Sequence, residues 1–153
     1  MKDTIFRPMQ PEERGVVAEM ISALYQGDPD NPFMTQKKIQ LTFEMLERHP
    51  DYGHVLVFEQ KKQIVGYALL INFWSNEFGG LLLTIDELFV IPAIRNQGIG
   101  TAFIRYLIAS RYNKFVALKL EVLPYNTRAL KLYQSLGFQQ ADRHHLLYSP
   151  TKS

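Results

Sequence analysis

Cysteine is absent from the sequence. Its absence excludes a disulfide framework, a thiolate nucleophile and a metal site built on cysteine. Long apolar runs are absent as well: none approaches the length that crosses a bilayer, and residues 1–4 form no apolar signal core. The sequence therefore predicts a protein without membrane segments in a reducing compartment, and the expected location is the cytoplasm.

An excess of charge of one sign is also missing. Lysine and arginine number 17, aspartate and glutamate 15, and the net charge is +2 with no block of like charges. Bulk charge thus gives no reason to expect a nucleic-acid or membrane partner. The four histidines lack the spacing of metal ligands, so no metal is expected at His49, His54, His144 or His145. The 153 residues, 46% of them apolar and 21% charged, suit a single domain over residues 1–153.

What the sequence does contain is an apolar strand, residues 81–91, that runs through a short polar loop into a helix, residues 98–112. The first turn of a helix has unpaired N–H donors and a partial positive charge, which suits a phosphate. Gly98 and Gly100 lack the Cβ atoms that would keep a ligand away from the backbone. The loop is not a P-loop, because no Gly-Lys-Ser/Thr follows. It also matches the dinucleotide-binding motif G-x-G-x-x-G poorly, because Phe103 stands at the position of the third glycine.

Two motifs resemble signatures of the GNAT family of N-acetyltransferases, which bind acetyl-CoA. The first is Arg95-x-x-Gly98-x-Gly100, which resembles the family's Arg/Gln-x-x-Gly-x-Gly/Ala loop. The second lies downstream and reads Asn126-x-x-Ala129-x-x-Leu132-Tyr133-x-x-Leu136-Gly137-Phe138. The resemblance covers about residues 4–148, and it is least specific before residue 54. It implies acetyl-CoA as the co-substrate of an acyltransferase.

The resemblance also implies an α/β fold. The family has a mixed central sheet of about seven strands that splays between its fourth and fifth strands, flanked by about four helices. Hydrophobic periodicity and turn residues predict elements in the matching order, βααβββαβαββ. Strands are predicted at residues 3–7, 54–59, 63–74, 81–91, 116–123, 138–141 and 144–148, and helices at 11–25, after Thr35, at 98–112 and at 127–136.

Asp86 and Glu87 interrupt the apolar strand 81–91. Successive side chains point to opposite faces, so at least one carboxylate should face inward unless a bulge intervenes. Burial raises a carboxyl pKa, which makes the group a better base near neutral pH. Either acid is a candidate catalytic base that takes a proton from an amine, with Glu87 ahead of Asp86. The alternative is that both mark a solvated strand end.

Tyr133 is the candidate catalytic acid. The matching tyrosine of many family members donates a proton to the departing CoA thiolate, and an apolar slot makes such a donor useful. The alternative is a core tyrosine packed with Leu132 and Leu136.

The remaining candidates would bind acetyl-CoA. Backbone groups of Leu88, Phe89 and Val90 would pair with the pantetheine like an added strand. Arg95 can reach the pyrophosphate or the loop's own carbonyls. Asn126 can cap the following helix and, as the resemblance implies, also bind the pantetheine. The phosphates would lie on the loop and first turn formed by Asn96, Gln97, Gly98, Ile99, Gly100 and Thr101.

The acceptor is expected to be a primary amine that attacks the thioester directly. Asp28, Asp30 and Glu77 in predicted loops favour a small cationic molecule such as a diamine, polyamine or aminoglycoside, although aspartate is also a common turn residue. A protein N-terminus or lysine is the alternative acceptor, and an acyl-CoA-binding sensor without turnover is the alternative class. Phe73 and Trp74 are expected to pack in the interior, and the alternative is that these aromatic rings line the pocket of an aliphatic amine. The sequence leaves open whether the protein forms a homodimer.

Overall fold

The computed structural model describes residues 3–27 and 34–150. The acidic loop predicted at Asp28 and Asp30 lies outside the described residues. The chain forms two compact units, Met1–Leu120 and Glu121–Ser153, and each is described by itself. Among the described helices, none has both the length and the apolar character needed to cross a membrane.

The first unit is built on a five-stranded mixed sheet in the order β1-β2-β3-β4-β5. Neighbouring strands from β1 to β4 run antiparallel, and β5 runs parallel to β4. Lys61 and Lys62 both have positive φ, which is typical of the tight turns that join antiparallel strands. The strands are β1 (Ile5–Pro8), β2 (Gly53–Gln60), β3 (Gln63–Ser75), β4 (Gly80–Val90) and β5 (Ala117–Leu120).

Four α-helices lie within residues 3–27 and 34–150, and this number agrees with the sequence prediction. Polar residues define their starts: the Thr35 hydroxyl accepts a hydrogen bond from the Lys38 N–H at 3.2 Å, and the Glu13 carboxylate accepts one from the Gln10 N–H at 2.7 Å. The short 3-10 turn Pro11–Glu13 precedes the first helix. The helices are α1 (Arg14–Gln26), α2 (Gln36–Arg48), α3 (Ile99–Ser110) and α4 (Thr127–Ser135).

The sheet of the first unit is covered on both faces. On one face α1 and α2 pack against a cluster that contains Val55, Tyr67, Leu69 and Phe89. On the other face the buried Phe103 of α3 lies 4.8 Å from Phe58, measured between ring centroids. Burial on both faces explains why these strands are almost continuously apolar.

The predicted last pair of strands does not form. Residues 138–149 have no regular secondary structure, and Leu146, Leu147 and Tyr148 are 95%, 96% and 86% exposed. Among the described residues the sheet has five strands, where the sequence predicted about seven. Alternation of apolar and polar residues gives a segment one apolar face, but a strand also needs a backbone partner, and a sequence pattern does not supply one.

The interior position expected for Phe73 and Trp74 is also wrong. Both lie near the end of β3, and they are 61% and 68% exposed. Their partner residues on β4 are Leu82 and Leu81, and none of these four residues belongs to the cluster that α1 and α2 cover.

A β-bulge lies at Asp86 in β4. Leu70 pairs with Ile85 and Leu69 pairs with Glu87, so Asp86 has no opposite residue on β3. Paired residues share a face, and Leu69 faces α1 and α2. Glu87 therefore also faces α1 and α2, whereas Ile85 lies on the opposite face. Without the extra residue, residues 85 and 87 would point to the same side.

Beyond Ile85, β4 has no sheet partner on its β5 side within the described part of this unit. The parallel pairing runs only from Leu82 to Ile85, although β4 continues to Val90. The pairing ends at Ile85 because β5 itself ends at Leu120, and the predicted splay between the fourth and fifth strands stays a prediction. The Ile91 N–H donates to the Val65 carbonyl of β3 at 2.9 Å. Alternation along the strand then directs the backbone groups of Leu88 and Val90 toward the open side, and those of Phe89 toward β3.

Candidate active site

The Glu87 carboxylate is held inside the first unit by two tyrosines. Tyr25, near the end of α1, donates its hydroxyl to Oε2 at 2.5 Å. Tyr67 of β3 donates to Oε1 at 2.8 Å. Glu87 is only 7% exposed, which is unusual for a carboxylate and is explained by its place after the bulge.

Burial raises the pKa of Glu87 above its ordinary value, and the charge of Asp86 acts in the same direction. Hydrogen bonds from the two tyrosines act in the opposite direction, because they favour the charged form. Asp86 differs from its neighbour in position, since its side chain is exposed at the bulge. Of the two predicted acids, Glu87 has the environment of a poised base.

A pocket of about 20 Å³ adjoins the carboxylate. It lies between α1, α2 and the sheet, and this volume accommodates about one water molecule. Apart from Glu87 its walls are largely apolar: they comprise Ile21, Met34, Ile39, Thr42, Phe43, Val55, Tyr67 and Leu69.

The predicted anion loop has the backbone that its glycines require. Gly98 precedes α3 with φ 82° and ψ 13°, a left-handed conformation that glycine adopts without strain. Asn96 is left-handed as well, with φ 64°. These two reversals turn the chain so that α3 begins at Ile99, and the first N–H groups of α3 have no partner within the helix.

Arg95 bonds within the protein. Its Nε donates to the Val90 carbonyl at 2.7 Å, and its guanidinium carbon lies 5.1 Å from the Phe89 ring centroid. The accepting carbonyl belongs to the end of β4 and not to the loop, so the choice between the pyrophosphate and the loop's own carbonyls stays a prediction. The residue therefore fixes the end of β4 against the loop.

The space around Gly100 suits a bound phosphate. A Cβ atom at this position would meet only Leu88 Cδ2, at 3.8 Å, which is ordinary van der Waals contact. Internal packing thus gives no reason for a glycine here, whereas close approach of a ligand to the backbone does. With the donors of Ile99, Gly100 and Thr101 in the first turn, the residues present fit the phosphates of CoA. Gln97 is exposed in the same loop.

The second unit contains Asn126 and Tyr133. The Asn126 Oδ1 accepts from the Ala129 N–H at 3.2 Å, which confirms its predicted role as the cap of α4. Tyr133 is half-buried, and burial raises the pKa of its hydroxyl, so the group keeps its proton. Gly137, with φ 102°, reverses the chain after α4. The Phe138 N–H then donates to the Tyr133 carbonyl at 3.1 Å, and the two rings meet edge to face at 6.0 Å.

Tyr25 and Tyr67 were not predicted as site residues. They lie inside the predicted helix 11–25 and the predicted strand 63–74, and the hydroxyl of a tyrosine in a helix or strand says nothing by itself about its partner. The sequence feature that could have indicated them is the acid within the apolar strand. A buried carboxylate needs hydrogen-bond donors, and tyrosine combines a ring that is readily buried with a hydroxyl that donates.

The open edge of β4, the glycine loop and the first turn of α3 follow one another along the chain, and this arrangement suits a ligand that carries phosphates. The profile of the Acetyltransferase (GNAT) family matches residues 18–138, and the chain belongs to this family. The protein is an acetyl-CoA-dependent N-acetyltransferase.

Known relatives agree with this assignment. The thialysine N-epsilon-acetyltransferase of Mus musculus is 28% identical over 148 residues, which cover 91% of this chain and 86% of the mouse protein. A solved structure of a possible acetyltransferase from Clostridium difficile has a TM-score of 0.81 at 18% identity, covering 97% of this chain and 99% of its own. An aminoglycoside N-acetyltransferase in complex with CoA has a TM-score of 0.73 at 18% identity, covering 97% and 96%. The two structures show a shared fold.

Replacing Gly100 by glutamine is expected to weaken CoA binding by about ten- to a hundred-fold, because contacts to a charged phosphate are lost. Stability should not fall, because the modest contact at 3.8 Å leaves room for Cβ and glycine is a poor helix former. Calorimetric titration with CoA and a thermal melt on the same preparation measure both effects.

Gly15→Gln is the matched control for this variant. Gly15 also lies in a helix, and nothing comes within 4 Å of its Cβ position. It should keep the parental affinity. A folded Gly100→Gln protein with unchanged affinity would show that the phosphates bind elsewhere.

Proposed function

We propose that the protein transfers the acetyl group of acetyl-CoA directly to a primary amine of a small cationic molecule. The observation that carries the proposal is the buried Glu87 carboxylate, held by two phenols on the α1 and α2 face of the strand that leads into the CoA loop. A primary amine is mostly protonated near neutral pH and must lose a proton before it can attack. A buried carboxylate with a raised pKa suits that proton transfer.

The co-substrate supplies the acetyl group as a thioester. The first turn of α3 would hold its phosphates, with Gly98 and Gly100 permitting close approach. Leu88 and Val90 present backbone groups on the open side of β4, where the pantetheine would pair like an extra strand. Because Arg95 already occupies the Val90 carbonyl, the Leu88 N–H and C=O and the Val90 N–H are the groups left for this pairing.

Glu87 would accept the proton that leaves the amine, either directly or through one water in the adjoining pocket. Tyr133 would donate a proton to the departing thiolate, and its raised pKa keeps that proton available. Backbone N–H groups on the open side of β4 would stabilise the oxyanion. The enzyme would form no covalent intermediate on cysteine, because the sequence contains none.

The names of the curated relatives support a small-molecule acceptor. Three of them, from mouse, cow and pig, are called thialysine N-epsilon-acetyltransferase, a name that specifies acetylation of an amine in the side chain of a lysine-like compound. Thialysine and lysine are therefore the first acceptors to test, followed by diamines and polyamines.

The test is an acceptor panel with spectroscopic detection of CoA thiol release. Thialysine, lysine, linear diamines, an aminoglycoside and two peptides, one with an open N-terminus and one with an internal lysine, are compared at equal concentration. Saturable release with a small amine supports the proposal. Release with a peptide alone indicates a protein acetyltransferase. CoA binding with no release for any amine indicates a sensor, and either result overturns the proposal.

A further inference from the structure

We propose that Tyr25 and Tyr67 are positioning residues that hold the Glu87 carboxylate in its ionised form and fix its direction. The inference rests on the proposed role of Glu87 as the base. It assigns a task to two tyrosines from different elements, α1 and β3, that converge on one carboxylate of β4.

The donor geometry matches an ionised carboxylate. Each oxygen of Glu87 accepts one phenol hydrogen, at 2.5 Å from Tyr25 and at 2.8 Å from Tyr67. A charged carboxylate accepts at both oxygens, whereas a neutral carboxyl group must donate at one of them. Two donors therefore match the ionised group, and the bond from Tyr25 also has the length that is typical of a charged acceptor.

The two bonds also leave the carboxylate able to act. Each carboxylate oxygen has a second lone pair, so one phenol on each does not use up its capacity. The pocket of about 20 Å³ beside Glu87 has room for about one water, which can bring a proton to the remaining lone pair. The proton that leaves the ammonium group is then bound by Glu87 and is returned to solvent after the product departs.

The other groups around Glu87 do not replace the phenols. Along β4, Asp86 carries a charge that opposes ionisation of Glu87. The residues that α2 contributes to the pocket are Ile39, Thr42 and Phe43, and none of them titrates. Among the described residues that line this pocket, no cation balances the carboxylate. The phenols are thus the groups that oppose the effect of burial.

Tyr25→Phe, Tyr67→Phe and the double variant test the inference. Each keeps the ring and removes one donor, so ionised Glu87 becomes less favourable and its pKa rises by about one unit per phenol. The acidic limb of the profile of kcat/KM against pH should move upward by about one unit in each single variant and further in the double variant. Turnover should recover at high pH, because the base itself is still present.

Tyr52→Phe is the control, since Tyr52 is half-exposed and its ring stacks on His49. It should keep the parental profile. If the tyrosines only support the fold, Tyr25→Phe and Tyr67→Phe will lower turnover by the same factor at every pH and will lower the melting temperature. That result, with an unmoved acidic limb, would overturn the inference.

A second measurement separates this inference from the proposed function. Carbon NMR of protein labelled at the glutamate carboxyl carbons follows the titration of Glu87 directly, with Glu87→Gln identifying the resonance. If Glu87→Gln keeps full turnover, the base assignment fails, but the titration still reports whether the phenols lower the pKa of Glu87. A Glu87 resonance that titrates at the same pH in the parent and in both single variants would refute the role of the tyrosines.

Discussion

Glu87→Gln is expected to lower turnover by about a hundred- to ten-thousand-fold, because positioned general bases contribute that much. Glutamine has nearly the same size and can still accept a hydrogen bond from one tyrosine, but it cannot take a proton from the amine. The remaining activity should increase with pH, since a larger share of the amine then arrives deprotonated. Rates measured across pH at saturating acetyl-CoA check both expectations.

A stability measurement distinguishes the loss of a base from damage to the fold. The folded pKa of Glu87 is raised by burial, so this group stabilises the fold fully below its unfolded pKa and loses that contribution as pH rises through the folded pKa. The melting temperature of the wild type should therefore fall relative to that of Glu87→Gln as pH rises through this range. An inactive variant that is also less stable at high pH would indicate disruption of the fold.

Asp86→Asn is the comparison for the base assignment. Asp86 lies next to Glu87 but is exposed at the bulge, so its replacement should alter turnover far less. If both variants keep the wild-type profile of rate against pH, the amine loses its proton to bulk water and the base assignment is wrong.

Tyr133→Phe is expected to lower turnover at least about ten-fold while stability stays nearly unchanged. General-acid help is worth roughly a hundred- to ten-thousand-fold, and another donor can replace part of it. The ring and its edge-to-face contact with Phe138 remain, and the structure records no hydrogen bond to the Tyr133 hydroxyl from the described residues. Affinity for acetyl-CoA should change little, because the lost interaction forms mainly in the transition state.

Tyr125→Phe provides the control for Tyr133→Phe. Tyr125 belongs to the same unit and is largely exposed, so deletion of its hydroxyl should affect neither rate nor stability. Turnover and melting temperature are measured on one preparation of each variant. Near-wild-type turnover of Tyr133→Phe with an active acceptor would show that Tyr133 is a core residue.

The parts of the fold that depend on local pattern could be predicted from the sequence. Helix periodicity and the Thr35 cap located α2, and the apolar strand with its glycines located β4, the loop and α3. Asn126 was predicted as a cap and is one. In each case a few adjacent residues decide the backbone, because caps and turns satisfy their own hydrogen bonds.

Features that depend on distant partners could not be predicted. The bulge at Asp86 arises from register between two strands, and it decided which acid faces α1 and α2. Tyr25 lies 62 residues from Glu87 along the chain, and nothing near it in sequence indicates that contact. The missing strands at 138–141 and 144–148 and the exposure of Trp74 have the same cause, since pairing and burial are decided by tertiary contacts.

The short pairing between β4 and β5 has a further consequence for the protein in solution. An unpaired strand edge is a template for another chain, and within the described part of the first unit β4 has such an edge after Ile85. At one end of this edge the Val90 carbonyl is already occupied, because it accepts a hydrogen bond from Arg95 Nε. Pantetheine bound along the rest of this edge would pair reversibly with the free backbone groups of β4, as a neighbouring strand would. The co-substrate would then protect this enzyme from self-association, and the amides of Leu88 and Val90 would exchange hydrogen more slowly as its concentration rises.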